Sequence, residues 1–99
     1  MTAPYVHKAI DQMESIWGGS FKRARAELGV TAFGLGVFDL PPNVDRIPRH
    51  VHTFDGQEEV YVPIAGSGEI EVDGVGRFEV EPGEMIRVTP QTTRCFHPG

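Results

Sequence analysis

Turn signals interrupt this chain at short intervals, and they constrain its fold more than any other feature. After Pro41-Pro42, the pairs Asp55-Gly56, Asp73-Gly74 and Thr89-Pro90 each end the run of residues before them. Asp-Gly marks a tight turn because glycine takes positive φ at no steric cost while aspartate bonds the neighbouring backbone. The stretches between these turns are short and read as strands. "TAFGLGVFDL" sets Phe33, Leu35 and Val37 at every second position, and residues 47–53 and 58–65 flank Asp55-Gly56. "EIEVDGVGRFEVE" reads as a hairpin about Asp73-Gly74 or slightly beyond, and "PGEMIRVTPQTTRCFHP" supplies two short strands around Thr89-Pro90. Six or seven short antiparallel strands predict an all-β fold, a barrel or a sandwich. The 12 Gly and 8 Pro among 99 residues favour the same reading over a few long helices.

The first 30 residues follow a different pattern, so the expected organisation is an N-terminal extension over 1–30 and a β domain over 31–99. Ile10, Met13 and Trp17 lie near helical spacing before Gly18-Gly19 ends the stretch. "SFKRARAELG" predicts a helix capped by Ser20 and closed by Gly29, with Phe21, Ala24 and Leu28 on one face. Lys22, Arg23 and Arg25 then form a solvated basic face or a small anion patch.

The net charge of −5 offers no basic stripe for phosphates, so nucleic acid is not an expected partner. A single cysteine, Cys95, excludes an internal disulfide framework and fits a reducing compartment. "MTAPYVHKAIDQMES" has neither a charged nor an apolar segment of secretory type, and no apolar run is long enough to span a bilayer. The cytoplasm is therefore the expected location, with no membrane partner.

The residues from 31 to 97 resemble the cupin superfamily, small antiparallel β-barrels of jelly-roll type. The family's first motif is Gly, five residues, His-x-His, three or four residues, Glu, six residues, Gly. This chain has His50-x-His52, then Glu59, then six residues to Gly66. "EEVYVPIAGSGEIEVDG" is similar to the strand pair that follows the histidines, and "EPGEMIRVTP" to the opening of the second motif. There are departures. Val44 stands at the leading Gly, and six residues separate His52 from Glu59, so the turn is longer than the family's. Counted from Gly83, the second motif places Thr89 and Gln91 at its Pro and Gly, Arg94 at its metal-binding His, and Pro98 at its Asn. The resemblance therefore implies a cupin or jelly-roll-like β-barrel with a degenerate second motif. Only Pro98 and Gly99 follow His97, where the family carries another strand. Either the chain belongs to a longer protein or another element completes the sheet.

On a strand, residues i and i+2 point to the same side, so His50 and His52 can face one interior point that Glu59 reaches from a neighbouring strand. Two imidazoles and a carboxylate with open positions suit non-haem iron, and also manganese, nickel or zinc. The other reading is a polar hairpin whose histidines are hydrogen-bonded or solvent-facing. Arg94 cannot ligate a metal. It either pairs with Glu59 in place of the ion, sits further out and clamps an acidic substrate, or turns to solvent. His97 differs from Arg94 by an odd number of residues and is expected on the opposite face. Glu58 points away from Glu59 unless the register slips by one. Tyr61 shares the parity of Glu59 and is expected to line the cavity with Arg94 as a substrate contact. Phe54 and Gln57 rim it, and Cys95 packs as a small side chain.

Three functions follow as expectations. The first is a small-molecule-binding cupin with a divalent metal on His50, His52 and Glu59, acting either as a binding protein or as a metal-dependent oxygenase, isomerase or lyase on a small oxygenated or acidic compound. The second is a metal-free binding or sensing barrel in which Arg94 pairs with Glu59, and the third is a structural dimer module. A homodimer is expected through an exposed sheet edge, with residues 31–39 or the N-terminal segment as the pairing element.

Overall fold

The structure, a computed structural model, describes residues 4–42 and 47–99. Its contacts group the chain into two compact units, Met1–Pro41 and Pro42–Gly99. The fold is mostly β, with antiparallel sheets and one short helix. No sheet closes into a barrel among the described residues, so the closed jelly-roll barrel is reduced to open antiparallel sheets.

In the first unit, β1 (Ser15–Ile16), β2 (Phe21–Lys22) and β3 (Val37–Phe38) form a sheet in that order. The helical reading of Ile10, Met13 and Trp17 reduces to one 3-10 turn at Ile10–Gln12, and Trp17 instead starts the β1–β2 turn at φ 58°. That left-handed conformation is costly for a bulky side chain. The Trp17 ring packs 5.3 Å from Phe21, which lies 4.8 Å from Phe38. Phe21 is thereby held in β2, and the helix expected from Ser20 shortens to α1 (Ala24–Leu28). It starts at Arg23 and closes on Gly29 at φ 73°. The basic run is partly neutralised, since Arg23 pairs with Glu14 at 3.1 Å. The strand expected over 31–39 contracts to β3, beside Gly36, where a Cβ would meet the Phe21 ring at 2.4 Å.

In the second unit, β5 (Gly68–Val72) is the central strand of a sheet with β6 (Gly76–Val80) on one side and β8 (Arg94–Pro98) on the other. β4 (Glu59–Tyr61) pairs with β7 (Ile86–Val88), matching Glu59 to Val88 and Tyr61 to Ile86. The Asp73-Gly74 hairpin forms as read, with Val72 opposite Gly76. Asp55-Gly56 also makes a tight turn: Gly56, at φ +68°, donates its N–H to the His52 carbonyl over 2.8 Å. Its flanks, however, do not pair with each other. Residues 50–52 lie along 90–94 through an antiparallel bridge between His50 and Arg94, while β4 pairs with β7. Both sheets contribute to one small core, in which Ile70, Val80 and Val88 are buried and Tyr61, Val72, Ile86 and Phe96 pack around them. Val44, at the first motif's leading Gly position, lies outside the described residues.

Candidate metal centre

Backbone pairing sets the direction of each site residue. His50 and Arg94 exchange both backbone hydrogen bonds at 2.9 Å, and His52 donates its N–H to the Pro90 carbonyl at 2.9 Å. With both residues tied to one neighbouring segment, the two imidazoles project to the same side, as the i, i+2 spacing requires. Glu59 opens β4 and Tyr61 follows two residues later on the same side. His50, His52 and Glu59 offer ligand atoms that all lie within 4.8 Å of one another, a group that can hold a metal.

The two carboxylate oxygens of Glu59 differ sharply. Oε1 accepts from the Tyr61 hydroxyl at 2.7 Å and from Arg94 Nη1 at 2.8 Å, and it lies 3.1 Å from His50 Nε2. Oε2 faces His52 Nε2 at 3.3 Å without hydrogen-bond alignment. Arg94 is completely buried, and its Nη2 donates to the Thr89 carbonyl. Burial pushes the Glu59 carboxyl upward, but the hydrogen bond from Tyr61 and, when the two imidazoles are protonated, the hydrogen bond from His50 and the charges of both histidines outweigh it, so its pKa is lowered overall. Burial, then the hydrogen bond and charge of Glu59, push the Tyr61 hydroxyl the other way, so it remains a proton donor.

The imidazole tautomers follow from their second nitrogens. His50 Nδ1 lies 3.1 Å from the Pro48 carbonyl, and His52 Nδ1 lies 3.2 Å from both oxygens of Asp55. A carbonyl and a carboxylate only accept, so each Nδ1 must carry the hydrogen. In a neutral imidazole, Nε2 is then a bare lone pair. Both lone pairs turn toward a carboxylate, another acceptor, and His52 Nε2 is buried with no hydrogen-bond partner among the described residues. Three acceptors therefore converge where a cation fits. Histidines that ligate metals characteristically donate their other ring N–H to a carboxylate or backbone carbonyl, as here.

The remaining candidates separate clearly. Glu58 points outward and pairs with Arg87 at 3.0 Å, so the register has not slipped. His97 lies away from the cluster and meets Glu71 at 3.1 Å, while Glu71 also pairs with Arg49 at 2.8 Å. Cys95 is buried, its Sγ 3.4 Å from the Ile47 carbonyl. Phe54 is 81% exposed and stacks on His52, with centroids 5.7 Å apart. Gln57 is exposed and donates its backbone N–H to Asp55 at 3.0 Å. Sequence reasoning treated Asp55 only as a turn former. Its signal was a carboxylate three residues after His52, in a turn tight enough to fold back on the ring. No family model matches the chain, nor does any curated protein or solved structure.

Proposed function

We propose that this chain is a cupin-type β-protein that holds one divalent metal on His50 Nε2, His52 Nε2 and Glu59, and binds a small oxygenated or acidic molecule beside it. The observation that carries this reading is the commitment of both Nδ1 atoms to acceptors, which in neutral imidazoles leaves both Nε2 lone pairs facing one carboxylate. The motif order and the two antiparallel sheets sharing one core support the cupin assignment. The donor set of two nitrogens and one oxygen suits iron, manganese, nickel or zinc. Such an ion, when bound, supplies Lewis acidity toward an oxygen-bearing ligand.

The chain's own residues perform the positioning. Arg94 and Tyr61 bind Glu59 Oε1 and hold the carboxylate in one orientation, leaving Oε2 without a hydrogen-bond donor among the described residues. Asp55 and the Pro48 carbonyl fix the ring orientations of the two histidines. Arg94 also keeps a positive charge beside the site, which favours an anionic ligand over a cationic one. The exposed ring of Phe54 forms part of the rim next to His52. Catalysis of an oxygenase, isomerase or lyase type belongs to this proposal as the chemistry such a site can support.

A second reading rests on the 2.8 Å contact between Arg94 and Glu59: a metal-free binding site in which the guanidinium neutralises the carboxylate and the imidazoles carry an extra proton. Elemental analysis of tag-free protein purified without chelator, beside His50→Ala, separates the two. Near-stoichiometric metal that disappears in the variant supports the metal centre. A protein that is empty and takes up no added iron, manganese, nickel or zinc overturns it in favour of the second reading.

A further inference from the structure

The edge of β6 has a charge pattern complementary to itself. β6 is the outer strand of the β6-β5-β8 sheet, and Gly76 through Glu79 are exposed. Within the sheet Glu79 sits directly opposite Glu69, a like-charge pair of the kind that destabilises a ladder. Arg77 serves Glu69 diagonally, at 3.1 Å from Nη2. Glu79 has no ion-pair partner among the described residues. The strand contains no proline or lysine, it centres on Phe78, and its two charges, Arg77 and Glu79, are of opposite sign.

We propose that β6 pairs antiparallel with β6 of a second copy of this chain, about a two-fold axis through Phe78. In that register each residue faces its mirror position, so Arg77 of one copy lies opposite Glu79 of the other, twice over. Phe78 meets its own counterpart on the opposite face. Each Glu79 gains the cation its own sheet does not provide, and each Arg77 retains enough donors to serve Glu69 as well. The two three-stranded sheets become one six-stranded sheet with an isologous interface. The edge of β7 makes a useful contrast: the equivalent pairing about Arg87 would set two guanidinium groups against each other. In β4, Glu59 is already engaged by Tyr61 and Arg94. Charge complementarity therefore favours β6 over β4 and β7. This dimer is independent of the metal centre.

Charge reversal tests it by sedimentation equilibrium, with circular dichroism verifying the fold of each variant. The wild-type chain is expected to dimerise. Arg77→Glu and Glu79→Arg each weaken the dimer by roughly 10-fold or more, because each replaces two attractive cross-strand pairs by repulsive ones. The combined Arg77→Glu/Glu79→Arg chain recovers the dimer, and an equimolar mixture of the two single variants forms the heterodimer. A monomeric wild type overturns the proposal. So does a dimer indifferent to both reversals, or one that neither the double variant nor the mixture restores.

Discussion

Arg94 and Glu59 meet at 2.8 Å, joining a side chain with no exposed surface to one that is one-third exposed. A buried guanidinium loses its hydration, and Glu59 together with the Thr89 carbonyl replaces part of what water supplied. The pair is polar machinery set beside a small core whose buried aliphatic side chains, among the described residues of this unit, are Ile70, Val80 and Val88.

Removing the carboxylate alone leaves that guanidinium buried without its anion. Glu59→Leu is therefore expected to lower stability by about 3 kcal/mol. Arg94→Met, which substitutes apolar volume for the cation, is expected to cost less. The double variant should fall short of the sum of the two, because one interaction is removed in both. Urea unfolding of the three variants, with chelator present throughout, measures this.

The Glu59 carboxyl is held below its ordinary value of 4.5 by Tyr61 and the histidines against the opposing effect of burial. A depressed folded-state pKa adds stability that is complete above 4.5 and is lost as pH falls through the folded value. The stability advantage of wild type over Glu59→Gln should therefore be fully present just above 4.5 and shrink as the pH falls further. Urea midpoints of metal-free protein from pH 5 to pH 3, the range in which the carboxyl itself titrates, would show it. An advantage that grew on acidification would contradict the direction of the shift.

Asp55 orients His52 through Nδ1 without touching the metal position. Asp55→Ala is expected to lower metal affinity by roughly 10- to 100-fold while leaving the ligand set intact. Competition titration against a chromophoric chelator provides the affinity. Because Asp55 also accepts the Gln57 N–H, thermal unfolding of the metal-free variant separates loss of the turn from loss of ligand orientation.

Gly68 lies buried on β5, between β6 and β8, and a Cβ there would meet the Phe96 ring at 2.5 Å. Gly68→Ala is expected to destabilise the chain by about 1–3 kcal/mol, since the ring must move within a packed core. Adding Phe96→Leu should recover part of that loss. Thermal unfolding of the single and double variants checks both expectations.

The strands and turns of the second unit were largely legible because each depends on neighbours in sequence. Asp55-Gly56 and Asp73-Gly74 form tight turns wherever they stand, and the parity of His50, His52, Glu59 and Tyr61 follows from the two-residue repeat of a strand. The N-terminal segment was misread for the complementary reason. Its helical spacing was genuine but short, and contacts of Phe21 with Trp17 and Phe38 overrode it.

By itself, then, the sequence determined which residues turn, which alternate, and which side chains with metal-binding chemistry share a face, because these properties repeat over a few residues. Only the tertiary structure decided that the flanks of the Asp55-Gly56 turn pair with 90–94 and with β7 rather than with each other. The same long-range pairing placed Arg94 on Glu59, 35 residues away, and set the Pro48 carbonyl and Asp55 behind the two imidazoles. Pairing partners depend on which apolar faces can be buried together. That is a property of the whole chain's core and not of any local run.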